Sequence, residues 1–185
     1  MPGFSTYLHP LDATHLLTIG MYRSENPSQW ESSRIQLAIY DVSDLSAPRQ
    51  TFTQLVGTAS SWSEALYEHK AFNYFGARKL LAIPYSDWSY TSTGNFWWDR
   101  FTSDLRVFGV DAATGFTFKG ALAVSDLYQA QGGTSWMYYW QPAVRRSVMA
   151  DEFVYAIGDV GLRVANLSNL SAPLATVTFI PYSGP

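Results

Sequence analysis

The sequence predicts an all-β fold built from three four-stranded antiparallel units, and three observations carry that prediction. First, an octet occurs twice: Asp41-Val-Ser-Asp-Leu-Ser-Ala-Pro48 returns as Asn166-Leu-Ser-Asn-Leu-Ser-Ala-Pro173, with five of eight residues identical. Both Asp-to-Asn changes keep a turn-forming side chain. Second, each copy follows a strand-like alternation, Ile35, Leu37, Ile39 before the first and Val160, Leu162, Val164 before the second. A weaker middle copy has Leu105, Val107, Gly109 and then Asp111-Ala-Ala-Thr-Gly115. Third, short apolar runs rich in Val, Ile, Tyr and Phe alternate with Gly, Pro, Asn, Asp and Ser clusters, which is strand punctuation. Repeated β units that each need a neighbour to bury a face point to a β-propeller, here a segment of three blades. A twelve-stranded sandwich is the competing arrangement. The recurrence of the octet in phase with the strands favours blades.

Each element follows from the alignment of the three units. Blade one spans about 3–58, blade two about 62–125 and blade three about 143–181. First strands are expected at Ser5–His9, at Ser63 through Phe75, and at Arg146–Met149. Second strands are His15-Leu-Leu-Thr-Ile-Gly20, Lys79-Leu-Leu-Ala-Ile-Pro84 and Phe153-Val-Tyr-Ala-Ile-Gly158, set side by side. Third strands end at Asp41, Asp111 and Asn166. Fourth strands are expected at 50–57, 116–124 and 175–180. Helical periodicity is nearly absent; the one candidate, Ser63–Lys70, reads as a strand when aligned with Ser5–His9.

Propellers close with about 4–8 blades, and an open arc leaves edges that invite pairing. Three blades are therefore expected to be part of a larger propeller, or to close it through copies of the chain. The chain begins almost directly in a strand-like run and ends just after one, so further blades are expected on the N-terminal side. The opening residues, Met1-Pro-Gly-Phe-Ser, lack the charged and apolar regions of a signal peptide.

Composition narrows the function classes. The 185 residues carry a net charge of −3, and the densest basic spot is Arg145-Arg146. That excludes the clustered basic face needed to grip a phosphate backbone, so no nucleic acid is expected. There are no cysteines, which removes disulfides and thiolate metal sites. No stretch approaches the roughly 20 apolar residues of a membrane span. Aromatics make up 16% of the chain, with seven Trp and twelve Tyr, suiting strands and broad contact surfaces.

Several segments together resemble a known family. They are Gly3-Phe-Ser-Thr-Tyr-Leu-His-Pro-Leu-Asp12, Ile39-Tyr-Asp-Val-Ser-Asp44, Ser63-Glu-Ala-Leu-Tyr-Glu-His-Lys-Ala-Phe72, Leu80-Leu-Ala-Ile-Pro84 and Val144-Arg-Arg-Ser147. The chain resembles the secreted β-propeller domain family of bacteria and archaea, distantly related to WD40 repeats. The resemblance implies a secreted or envelope-associated protein with more propeller upstream. It implies no reaction. The long aromatic insertions depart from the family pattern, and a function carried by them would be this chain's own.

Those insertions are the candidate binding face. Residues 21–34 hold Tyr22 and Trp30; Tyr85–Ser103 holds Trp88, Tyr90, Phe96, Trp97, Trp98 and Phe101; Asp126–Pro142 holds Tyr128, Trp136, Tyr138, Tyr139 and Trp140. Strands alternate direction, so loops after second and fourth strands leave on one rim. Trp97 or Trp98 is therefore expected in contact with Trp136, Tyr139 or Trp140. Trp88, Tyr90, Trp97, Trp98, Trp136, Tyr139 and Trp140 would meet a protein partner, another copy of the chain, or a glycan stacked on flat rings. Equally, they would pack on each other as a lid. His9 and His69, aligned at the ends of first strands, with Glu64 five residues before His69, are the candidate metal ligands of an alternative, enzymatic reading. Structural histidines are the plainer reading, as blade three offers no third His and no His-x-x-x-His spacing exists. Asp41 to Asp44 lacks the Gly and distal Glu of a calcium loop and reads as an Asx turn. There is no nucleophile elbow, phosphate loop or paired-carboxylate motif. No cofactor is expected, and the leading reading is a non-catalytic extracytoplasmic scaffold for binding or assembly.

Overall fold

A computed structural model describes residues 3–24, 33–88, 101–129 and 144–179. Among them lie three four-stranded sheets, antiparallel throughout, each meandering in sequence order. Blade one contains β1 (Phe4–Pro10), β2 (His15–Tyr22), β3 (Arg34–Asp41) and β4 (Arg49–Val56). Blade two contains β5 (Asn73–Phe75), β6 (Leu80–Trp88), β7 (Phe101–Asp111) and β8 (Gly115–Ala123). Blade three contains β9 (Val144–Ala150), β10 (Phe153–Gly158), β11 (Gly161–Asn166) and β12 (Asn169–Thr178). One short helix, α1 (Ser125–Gln129), follows β8.

The repeated turn closes the third and fourth strands of every blade by the same bond. Asp41 Oδ1 accepts from the Ser43 amide at 2.9 Å, Asp111 Oδ1 from the Ala113 amide at 2.8 Å, and Asn166 Oδ1 from the Ser168 amide at 2.8 Å. A neutral amide oxygen serves as well as a carboxylate, so the turn is an Asx turn rather than an ion site. Beyond the turn, each pair carries a β-bulge: at Ile39/Tyr40, at Val107/Phe108 and at Val164/Ala165. The extra residue bends the fourth strand. In blade two it brings Gly120 to a φ of +140°, a conformation glycine takes without Cβ strain.

Two clusters of buried side chains glue the three sheets face to face. Blade one presents Leu17, Ile19, Ile35, Leu37 and Ile39, all 0% exposed, to Leu81, Ile83, Tyr85, Phe108 and Val110 of blade two. The opposite face of blade two presents Ala82, Leu105, Val107 and Leu122 to Val144, Val154, Ala156, Ala165 and Leu170 of blade three. The strands of blade two thus serve two junctions through their alternating side chains. At about 25 cal/mol per Å² of apolar area, each large aliphatic side chain so sealed contributes roughly 1.5–3 kcal/mol.

The register corrects one alignment drawn from the sequence. His15 pairs with Asp41 and Phe153 with Asn166, whereas in blade two Leu80 pairs with Gly109, two residues before Asp111. Counted from the turn, Leu17, Leu80 and Tyr155 are equivalent, as are Ile19, Ala82 and Ile157. The Leu-Leu-Thr-Ile and Leu-Leu-Ala-Ile strings look alike but are offset by one. Since side chains alternate with period two, that single step exchanges the faces.

The first strand of blade two is a second correction. Only Asn73–Phe75 is strand; Glu64–Leu66 and His69–Ala71 are single turns of 3-10 helix. Side-chain capping decides this. The Ser63 hydroxyl accepts from the Ala65 amide at 3.2 Å and donates to the Pro84 carbonyl at 2.6 Å, while the Glu68 carboxylate accepts from the Lys70 amide at 3.0 Å. The local bonds replace a ladder that would have needed a partner. Ala65, Leu66 and Ala71 from these turns fill the blade one–two core.

Candidate functional site

The candidate rim starts where the aromatic insertions leave the sheets. β6 and β7 run further than the alternation implied, as far as Trp88 paired with Phe101. The Trp88 and Phe101 rings meet edge to face, 5.6 Å between centroids. β8 ends beside the same hairpin, with Ala123 opposite Asp104, and α1 starts the second insertion there. The described roots of both insertions therefore share one end of blade two. Tyr90, Trp97, Trp98, Trp136, Tyr139 and Trp140, and with them the expected contact between the two insertions, lie outside the described residues.

Beneath the first root is a charged network that sequence reasoning missed. Asp104 is 5% exposed and accepts from Arg106 Nε at 3.3 Å. The Arg106 guanidinium carbon sits 3.2 Å from the Tyr85 ring centroid, a cation over a π face. The Tyr85 hydroxyl donates to Asp87, which also accepts from the Thr58 hydroxyl at 2.7 Å and from the Trp88 amide at 2.8 Å. Thr58 lies in the connection from blade one, so the network ties the hairpin to the blade junction. Burial pushes the Asp104 carboxyl up to about 6, against the pull of Arg106. Burial, and then the bond to Asp87, raise the Tyr85 phenol as well. The available signal was the alternation itself: Asp104 and Arg106 stand at positions where a two-sided strand should be apolar.

The second root is clamped by Arg163, 8% exposed. Its guanidinium donates two parallel bonds to the Asp126 carboxylate, at 2.7 and 2.8 Å. It also donates to the Ala123 carbonyl at 2.6 Å and to Thr176 at 3.1 Å. A fork of this kind fixes orientation as well as charge. Here it holds the first turn of α1 against blade three. The hydrogen bonds from Arg163, and then its charge, hold the Asp126 carboxyl below the ordinary carboxylate range.

The predicted metal candidates are arranged differently from the alignment. His9 lies on β1 opposite Leu17; counted from the turn, its counterparts are Phe75 and Val148, not His69. His69 is on a 3-10 turn with its side chain 65% exposed, 3.4 Å from Glu68. Glu64 is held by Arg145 at 3.0 Å, and Arg145 also binds Asp159 at 3.0 Å, bridging blades two and three. The two histidines are linked by Tyr7, whose ring centroid is 6.3 Å from each. His9 also packs on Phe72 and Tyr74, and burial within this aromatic wall lowers its pKa. Among the described residues no group of three or more His, Asp or Glu converges as a metal cage. The arrangement packs rings against rings and ties blade two to blade three.

The sequence model of a family described as Beta propeller domain matches residues 1–170. An uncharacterized protein of Archaeoglobus fulgidus is 33% identical over 84 residues, which cover 45% of this chain and 12% of that protein. No solved structure matches the chain.

Proposed function

The chain belongs to the β-propeller domain family, and from that premise we propose that it is a non-catalytic scaffold, working outside the cytoplasm, whose aromatic rim binds a protein partner or further copies of itself. The observation that carries the reading is the pair of charged clamps at the roots of the insertions. Asp104, Arg106, Tyr85 and Asp87 root one Trp-rich insertion, and Arg163 with Asp126 roots the other, at the same end of blade two. Rooting two aromatic segments side by side fits a recognition face, where rigid aromatic anchors supply most of the binding energy. The extracytoplasmic setting rests on the resemblance drawn from the sequence. Among the described residues no helix is long and apolar enough to cross a membrane.

The test uses a Trp97→Ala, Trp98→Ala variant and a Trp136→Ala, Trp140→Ala variant. Each is compared with the unmodified chain in cross-linking to envelope extracts of the native host and on a glycan array. The expected result is loss of a cross-linked protein in both variants, with the far-UV circular dichroism of the sheets unchanged. A protein captured equally by all three chains overturns the rim as the binding face. Binding on the array alone moves the function to glycan recognition.

A further inference from the structure

The root of the first insertion holds two carboxylates that are served very differently. Asp87 accepts from the Tyr85 hydroxyl, from the Thr58 hydroxyl at 2.7 Å, from the Thr58 amide at 3.2 Å and from the Trp88 amide at 2.8 Å. Those donors satisfy it as an anion. Asp104, 5% exposed, accepts a bond from Arg106 Nε, and at 3.3 Å it is long for a charged pair. The Arg106 plane lies instead over the Tyr85 ring, 3.2 Å from its centroid. One guanidinium is thus shared between a phenol face and a buried acid.

The surroundings of Asp104 follow from the sheet. Its own strand supplies Arg106, and β6 supplies Tyr85, its register partner, and Asp87. β8 places Ala123 opposite Asp104 and Ala121 opposite Arg106. From blade one come Gly57, where a Cβ would collide with the Tyr85 hydroxyl, and Thr58, which brings a hydroxyl and an amide to Asp87. Burial disfavours the Asp104 anion most, Arg106 favours it, and the Asp87 charge opposes it. With both acids ionised the cluster would carry a negative charge that Arg106 leaves unanswered. One proton evens the count, and Asp104, with its single long bond, is where it sits.

We propose that Asp104 is a proton-operated latch on the root of the first insertion, holding the end of the β6–β7 hairpin to the blade connection at Thr58 when protonated and loosening that contact when ionised. The reason is linkage. An opened root puts Asp104 in water, where it ionises at an ordinary 3.8, whereas the closed root keeps the proton to about 6. Closure is therefore favoured in acid and weakens as pH rises through about 6. The ionised carboxylate needs water or a fuller pair with Arg106. Water opens the cluster, and a fuller pair draws the guanidinium off the Tyr85 ring. Tyr85 passes the change on, because its hydroxyl bonds Asp87 and Asp87 bonds Thr58 and Trp88. The latch lies in the hairpin itself, and the inference stands whether or not the rim binds a partner.

Amide hydrogen exchange, read by NMR and corrected for the intrinsic rate at each pH, tests the latch at the Thr58 and Trp88 amides. In the unmodified chain these amides should open more readily than those of Leu81 and Val107 in the same sheet. Their opening constants should rise about tenfold between about pH 5 and about pH 7.5. Asp104→Asn, which has no proton to release, should hold them constant over that range. The carboxyl carbon of Asp104 in the unmodified chain gives a second readout that needs no variant to fold, and it should titrate at about 6. Root amides that open only with the whole sheet, or opening constants indifferent to pH, overturn the latch. So does an equal rise in Asp104→Asn, or a carboxyl midpoint near the ordinary 3.8.

Discussion

Asp104 shows how one buried charge is tolerated at the base of a loop. Its carboxyl gains the Arg106 guanidinium but loses water, and the loss wins: the pKa in the fold is about 6 against an ordinary 3.8. A raised value means that the folded protein holds this proton more tightly than the unfolded chain. The contribution to stability is complete below about pH 4 and is lost as pH rises through about 6. Asp104→Asn should remove that dependence. The stability of the unmodified chain relative to the Asn variant, from urea unfolding at several pH values, should fall by about 2–3 kcal/mol between pH 4 and pH 7. A flat difference would place Asp104 in water. Legibility at this scale was uneven. The turn roles of Asp41, Asp111 and Asn166 were readable because an Asx turn is made by a side chain and an amide two residues away. The role of Arg163 was not, because its partner Asp126 lies 37 positions away.

Elements obeyed local chemistry where local chemistry was strong. The hairpin turns were legible because the octet repeats, and its side chains do the same work as Asp or as Asn. Asn166→Asp should therefore leave the melting midpoint unchanged, whereas Asn166→Leu, which leaves the Ser168 amide without its acceptor, should cost about 1 kcal/mol in thermal unfolding. A comparable loss from Asn166→Asp would point to an effect of charge at the turn. The segment Ser63–Phe75 was misread as strand because it aligns with β1 in sequence. Two side-chain caps, from Ser63 and Glu68, outweigh that alignment and wind it into 3-10 turns. The exchange of Leu81 for Leu80 as the counterpart of Leu17 in blade two has the same origin. A string match compares residue types, but hydrogen-bond register, counted from the turn, decides which face each side chain takes.

At the scale of the whole molecule, stability resides in the junctions between blades rather than within any one sheet. Leu37→Ala, at a site 0% exposed between blades one and two, should cost about 2–5 kcal/mol of unfolding free energy. Leu162→Ala, its counterpart in blade three, should cost far less, because that side chain is only half-buried. Equal losses would mean that the two faces are equally sealed. The sequence by itself determined the all-β class, the three blades of four strands and the repeated turn. Each of these rests on periodicity or on contacts a few residues apart, and such patterns are written along the chain. Only the tertiary structure decided that His9 stands in an aromatic wall and is not the strand counterpart of His69, that Glu64 answers to Arg145, and that two charged clamps root the insertions. Those facts depend on which sheet face meets which neighbour, and a period-two pattern reads the same after a shift of two residues, so it cannot name the partner across a junction.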